Sequence, residues 1–400
     1  MEANLNMHSV NLQNRGDCRI KILEIIGNAS IGGMENYLES FITNLPPGEF
    51  DVTCICPYES LFTDNLRKLG VTDVFITPIE DDPVWRSIQL AVEISRIRHI
   101  DILHAHMPKA HVLAGLASCL VQKPVVATVH GMNVTAQEYG IARAVGSHLI
   151  TNCQEAYTQA LALGFPKERL SIVRNSVDTD VFSPGECRGE IRNELGLPRD
   201  FPLIGFVGRL AWEKGPDVFL RVANHVHRFF PSAHFVIVGE GEMQEELLQM
   251  RSYLQLESCV HFLGWTKDTV AVYRELDILA HTSRSDGTSL VLLEAMACEC
   301  PSAALAVGGI REIVEHKSTG FLAGAGDWEE VANQIVQLLT HPEKSPIIGA
   351  AARRRVETYF NVKTNTLCTG EILRSIASPK VLGGNVNKKR ALVSEFSSKR

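Results

Sequence analysis

The 400-residue sequence has no charge-free apolar run long enough to cross a bilayer, and residues 1–18 hold too few apolar side chains for a secretory signal. It has no excess of positive charge: 39 Lys and Arg stand against 46 Asp and Glu, a net charge of -7, which excludes whole-molecule attraction to nucleic acid. None of its ten cysteines is spaced C-x-x-C. The nearest pairs, Cys54/Cys56 and Cys298/Cys300, have one residue between them and not the two of zinc or redox pairs. Scattered reduced thiols in a cytoplasmic protein are the expectation. What is present is a soluble globular composition, 45% hydrophobic and 21% charged, in a chain long enough for two domains with a core each.

Short apolar runs alternate with helical patterns along the chain. Residues 19–26, 50–56, 74–76, 100–105, 124–128, 148–151 and 170–174 read as strands, and residues 34–45 and 88–98 as helices between them. Such alternation predicts a parallel sheet covered on both faces, with ligands at the carboxyl ends of its strands. Residues 183–202 turn to Pro, Gly and charge and read as a linker, after which residues 203–210 open a second alternating series.

The chain is organised around residues 279–301, a strand tail, a polar turn and an apolar helix. Asp286-Gly287-Thr288-Ser289 lies in the turn, and Glu294 stands inside a run of Leu, Val, Ala and Met, where a carboxylate needs a partner. A helix beginning near Thr288 or Ser289, capped by a hydroxyl, presents its free N–H groups and its positive dipole end to an anion. Gly287 allows close approach. Amides donate to phosphate and carboxylates accept from hydroxyls, so the arrangement suits a ligand with phosphates between two hydroxyl-bearing ends, the outline of a nucleotide-sugar. The simpler reading is a capped helix with one buried Glu in a local pair.

Other segments carry weaker signals. The loop 27–35 contains Gly32-Gly33, at a place suited to phosphate or simply a tight turn with positive φ at one glycine. His104 and His106 share one face of a strand; a metal pair lacks a further ligand at matching spacing, and structural histidines are the stronger reading. Arg209 and Lys214 are two cations beside glycines that would neutralise a diphosphate, or a surface pair with Glu213. Asp178-Thr179-Asp180 spells D-x-D, but three residues are a cheap match, and a metal reading is rejected.

Together the segments resemble the retaining GT-B glycosyltransferases of family four, also called glycosyl transferases group 1. That family's signature has two Glu separated by seven residues, where this chain has Asp286 and Glu294; V-x-N-G-V-D-x-x-x-F is matched at 173–182 with Ser176 in place of Gly; R-x-x-x-x-K-G is matched by Arg209 to Gly215; T-x-H-G by Thr128 to Gly131. The resemblance implies a GT-B fold, two doubly wound Rossmann-like α/β domains facing across a cleft. Residues 18–182 would form the acceptor side, 203–362 the nucleotide-sugar side, and 363–377 a helix crossing back, with flexible ends at 1–17 and 378–400. It also implies roles. Asp286 holds sugar hydroxyls, Glu294 the ribose, Arg209 and Lys214 the diphosphate, and His130 the transferred sugar. Gly32, Gly33, Gly264, Gly287, Thr288, Ser289 and Leu290 line the donor site.

The expected reaction moves a sugar from a nucleoside diphosphate to a saccharide or lipid-linked acceptor hydroxyl, with retention and without metal or other cofactor, in cell-envelope glycan or glycolipid synthesis. Two rivals are a non-catalytic sugar-nucleotide binding subunit and a GT-B sugar-nucleotide epimerase; the latter should lack the Asp286/Glu294 signature. The basic tail reads first as a disordered end, with peripheral contact to anionic lipid at the inner face of a membrane as the minority reading.

Overall fold

The computed structural model describes residues 19–30 and 32–377. The flexible ends expected at 1–17 and 378–400, and the lipid contact of the latter, lie outside the described residues.

Thirteen strands form two sheets among the described residues. The first contains β1 (Ile20–Ile26), β2 (Phe50–Cys56), β3 (Val74–Ile76), β4 (Ile102–His106), β5 (Val125–Val129), β6 (His148–Thr151) and β7 (Leu170–Ile172). The second contains β8 (Leu203–Val207), β9 (His234–Val238), β10 (Val260–Gly264), β11 (Ile278–His281), β12 (Ser302–Leu305) and β13 (Phe321–Ala323). All pairings within these sheets are parallel, in the orders β3-β2-β1-β4-β5-β6-β7 and β10-β9-β8-β11-β12-β13. This is the α/β GT-B architecture of two Rossmann-like sheets. Parallel strands covered on both faces select Val, Ile, Leu and Ala at nearly every position, and β8 and β12 are buried almost throughout.

Strand ends move by a residue or two from expectation. Pro124 accepts from the Leu103 N–H but has no N–H of its own, so β5 begins at Val125. In each sheet the strand order reverses once, between β1 and β4 and between β8 and β11. Ligands of open α/β sheets bind outside the carboxyl ends at such reversals. There lie the loop after β1 with Gly32 and Gly33, the loop after β8 with Arg209 and Lys214, and the turn after β11 with Asp286.

The last helix, Val362–Ala377, packs on Gly33–Asn44, burying Leu373 beside Leu38 and Phe41 of the first sheet's core. Thr369 of this helix hydrogen-bonds Tyr37. No helix among the described residues is long and apolar enough to cross a membrane.

Two histidines predict acid lability. His111 bonds Ser147 and is held down at about 4 by burial. His148 bonds Ser171 and is held at about 4 by burial and by the charge of Arg169. Between the free-histidine value of 6.5 and about 4 the unfolded chain binds protons that the folded chain refuses. Stability is therefore fully present above pH 6.5 and falls as pH is lowered, by up to about 1.4 kcal/mol per unit for buried His111 and by less for half-buried His148. Calorimetric unfolding should show Tm declining across this window, with a shallower decline in His111→Asn.

Candidate active site

The loop after β8 is stitched to the turn after β11 through backbone contacts. Gly215 has φ +66, and a Cβ there would lie 2.2 Å from the Thr282 carbonyl oxygen, so only glycine brings the two segments this close. The Thr282 hydroxyl donates to the Gly215 carbonyl at 2.8 Å, and the Arg284 and Ser285 amides donate to the Glu213 carbonyl at 2.8 and 3.2 Å. Arg284 fixes the corner by a two-pronged contact with Asp217 and by lying over the Trp212 ring.

This stitching places the Lys214 ammonium 2.9 Å from Asp286 Oδ2, with His281 Nε2 3.4 Å from the same oxygen. Burial alone would raise Asp286, but the Lys214 charge and the His281 contact hold it well below the usual carboxylate range. A small pocket opens here, lined by Gly208, Lys214, His281, Ser283, Asp286 and Ser289.

The two expected diphosphate cations take different partners. Arg209 is paired with Glu213, four residues on, and is 64% exposed on the rim. This is the surface pairing weighed above, and it holds for Arg209 but not for Lys214. The charge of Arg209 nonetheless reaches Glu35 of the first domain, a buried acid pushed up to about 7 mainly by burial.

The helix after the turn runs Leu290–Ala297, with Ser289 at its N-cap and no side-chain cap bond. The expected hydroxyl cap is thus absent, because both hydroxyls have other partners. Ser289 Oγ pairs with His281 Nε2 at 3.0 Å, and the Thr288 hydroxyl donates to the Asn152 carbonyl across the domain boundary. Neither hydroxyl therefore occupies the first-turn amides. Within the helix, Glu294 accepts from the Tyr273 hydroxyl at 2.8 Å. Burial pushes it up to about 7, against the smaller downward effect of that bond.

The first domain meets this turn directly. A Cβ on Gly33 would lie 3.9 Å from Leu290 Cδ1, and one on Gly287 would lie 2.6 Å from Asn152 Nδ2. Asn152 donates to the His130 carbonyl at 2.7 Å, and Asn175 to the Thr288 carbonyl at 2.8 Å. Glu312 accepts from the Gln154 amide and from Arg174, both at 2.6 Å. Lys214, Asp286, Ser289 and Leu290 of the second domain thus gather opposite Gly33 and the backbone of His130. Gly264 has φ +70, and its carbonyl accepts from the Gly239 amide at the end of β10.

The Gly32-Gly33 loop differs from a tight turn. Gly32 is extended at φ -165 and caps the helix Gly33–Asn44, and neither Gly27, Gly32 nor Gly33 has positive φ. Close approach belongs to Gly27: a Cβ there would lie 3.0 Å from the Met107 side chain. His104 and His106 are fully buried, and the further polar partner that sequence spacing did not reveal is Glu24 of β1, also fully buried between them. His106 Nδ1 in turn lies 2.9 Å from His130 Nε2, and the His130 ring meets Tyr37 edge-on at 5.1 Å.

Asn152, Tyr273, His281 and Glu24 were not singled out from sequence, and Asn175 stood only as the Asn of the segment matched at 173–182, with no role assigned. Glu24 alone carried a signal, a carboxylate inside an apolar strand.

Comparison with known proteins agrees with this fold. Residues 188–355 match the family described as Glycosyl transferases group 1, and residues 31–181 match Glycosyltransferase Family 4. The chain is 25% identical over 367 residues to the UDP-Gal:alpha-D-GlcNAc-diphosphoundecaprenol alpha-1,3-galactosyltransferase of Escherichia coli, covering 86% of this chain and 94% of that one. It is 28% identical over 287 residues to the N-acetyl-alpha-D-glucosaminyl L-malate synthase of Bacillus anthracis, covering 67% and 73%. Among solved structures, Anabaena Alr3699/HepE in complex with UDP-glucose superposes with a TM-score of 0.80 at 25% identity, over 89% of this chain and all of that one.

Proposed function

Because the chain belongs to the GT-B glycosyltransferases of family four, the glycosyl transferases group 1, we propose that it transfers a sugar, with retention and without a metal, from a nucleoside-diphosphate sugar to a saccharide or lipid-linked hydroxyl in cell-envelope glycan or glycolipid synthesis. The observation that carries this reading is the convergence of Lys214, Asp286 and the start of the helix Leu290–Ala297 at the strand-order reversals of both sheets. A uridine donor is the first choice, supported by the galactosyltransferase and by the UDP-glucose complex among the similar proteins.

In the proposed step the acceptor oxygen bonds to the anomeric carbon as the bond from that carbon to the diphosphate oxygen breaks. The acceptor proton passes to a phosphate oxygen on the same face, so no side-chain base is needed. Negative charge growing on the diphosphate is met by Lys214, by Arg209 at the rim, and by the amides of Ser289 and Leu290 with the helix dipole behind them. Gly32 and Gly33 give the diphosphate room. Asp286 anchors the sugar, Glu294 the ribose, and His130 faces the sugar from the acceptor side, which are positioning roles. Gly264, Gly287 and Thr288 supply backbone contacts to the donor. Asp286 is engaged by Lys214 and His281, which suits an anchor better than a nucleophile.

The test is an assay of purified protein with UDP-, GDP- and ADP-sugars and lipid-linked or saccharide acceptors, reading product anomeric configuration by NMR. An α-linked product from an α-linked donor, formed equally with and without EDTA, is the expected result. Inversion, or loss in EDTA restored by Mn²⁺, contradicts the proposed mechanism.

A pH prediction follows from Glu294. Ribose hydroxyls donate best to an ionised carboxylate, and in the free protein Glu294 is protonated below about 7. UDP affinity should therefore weaken as pH falls below that value, by up to about tenfold per unit. Calorimetric titration from pH 5.5 to 8 checks it, with Glu294→Gln, which has no such proton, lacking this component of the slope.

A further inference from the structure

We propose that Glu24, acting through His106, fixes the tautomer of His130 so that His130 Nδ1 turns a lone pair toward a hydroxyl of the transferred sugar. The proposal rests on His130 being the sugar-facing residue of the first domain.

Glu24 lies in the middle of β1 between Leu23 and Ile25 and is fully buried. A carboxylate so placed is costly unless it is fully hydrogen-bonded. Here Oε1 stands 3.1 Å from His104 Nδ1 and Oε2 2.8 Å from His106 Nε2. Burial alone would raise Glu24, but a ring N–H on each of its two oxygens holds it down and favours the ionised form. An ionised carboxylate only accepts, so both ring nitrogens facing it carry protons.

The rest follows by counting protons. Neutral His106, with its proton on Nε2, has a bare Nδ1. That nitrogen lies 2.9 Å from His130 Nε2, and a hydrogen bond across this gap needs one proton, which only His130 can supply. Neutral His130 therefore carries its proton on Nε2 and leaves Nδ1 as an acceptor. The same count closes the other branch: His104 donates from Nδ1 to Glu24, and its bare Nε2 accepts from the Thr128 hydroxyl at 2.8 Å.

Further protonation is opposed. Burial first, and the neighbouring imidazoles second, hold both His106 and His130 below the ordinary histidine range. The rings are also held in place, His130 by the Tyr37 edge at 5.1 Å and His104 by Phe41 at 6.3 Å. A metal ion among Glu24, His104 and His106 would have the opposite consequence. Bound to His106 Nε2, it would move the His106 proton to Nδ1, reverse the bond to His130, and make His130 Nδ1 a donor. Glu24 and His106 touch no substrate and are positioning residues.

Long-range proton–nitrogen NMR of the full chain labelled with ¹⁵N-histidine reads these tautomers directly, with His106→Asn and His130→Asn assigning the two signals. At neutral pH both His106 and His130 should show a protonated Nε2 and a bare Nδ1. Glu24→Gln, whose amide can donate as well as accept, should raise the Nδ1-protonated population of His130 several-fold. It should also lower kcat about tenfold with the natural donor, and this loss should vanish with one member of a monodeoxy donor series. If Glu24→Gln does not fold, His106→Asn serves in its place, because its amide keeps a polar group beside His130 but breaks the link to Glu24. A wild-type His130 protonated on Nδ1, or a His130 tautomer unchanged in both variants, would overturn the proposal. The tautomers are read without substrate, so a wild type that transfers no sugar would contradict the activity and leave this reading decided by its own signals.

Discussion

Lys214→Ala is expected to lower kcat/KM for the donor by at least about a hundredfold, roughly 2.7 kcal/mol of transition-state stabilisation. The ammonium lies in the pocket, 2.9 Å from Asp286, on a loop that Gly215 and Thr282 hold in place. On the proposed reading its removal takes away the half-buried cation nearest the departing diphosphate and leaves Asp286 with His281 alone. Arg209→Ala should act in the same direction, and the exposed pair with Glu213 is free to open toward a phosphate at little cost. Steady-state rates over a range of donor concentrations check both, with circular dichroism confirming the fold. Turnover within a few-fold of wild type in Lys214→Ala would remove this residue from the reaction.

Glu294→Ala has the second large effect, a fall of about a hundredfold or more in kcat/KM. Hydrogen bonds to a charged acceptor are worth about 1.5–3 kcal/mol, and the ribose offers two hydroxyls. The alanine variant also strands the buried Tyr273 hydroxyl, so part of its effect falls on stability. Glu294→Gln separates the two contributions, because the amide oxygen still accepts from Tyr273 and only the charge is lost. A Gln variant with native Tm and at least tenfold weaker UDP binding is the expected pattern. Equal UDP affinity in wild type and both variants would show that Glu294 is only a buried partner of Tyr273.

Much of the fold was legible in the sequence because parallel strands buried on both faces are written as unbroken apolar runs. Residues 50–56, 74–76 and 148–151 were read with the ends they have in the structure. The R-x-x-x-x-K-G and Asp286/Glu294 spacings were legible for a related reason, since each lies within one local segment at a strand end. What escaped were partners distant in the chain. Glu24 and His106 are 82 residues apart and become neighbours only when β1 and β4 pair. Asn152 and Asn175 reach Thr288 and Gly287 only when the two domains meet. The hydroxyl cap was misread because local propensity favours Ser at an N-cap, while here Ser289 is drawn to His281. Glu24 could have been flagged by the argument applied to Glu294, that a carboxylate in an apolar run must have a partner.

The central claim is that one diphosphate lies between the Lys214 loop and the start of the helix Leu290–Ala297, with Asp286 and Glu294 at the two ends of the donor. A crystal structure of the protein with a bound UDP-sugar tests it most directly. The account predicts phosphate oxygens within hydrogen-bonding distance of Lys214 and of the Ser289 and Leu290 amides, ribose hydroxyls on Glu294, and sugar hydroxyls at Asp286. A nucleotide bound elsewhere, with Lys214 still closed on Asp286 and Glu294 bonded only to Tyr273, would contradict it.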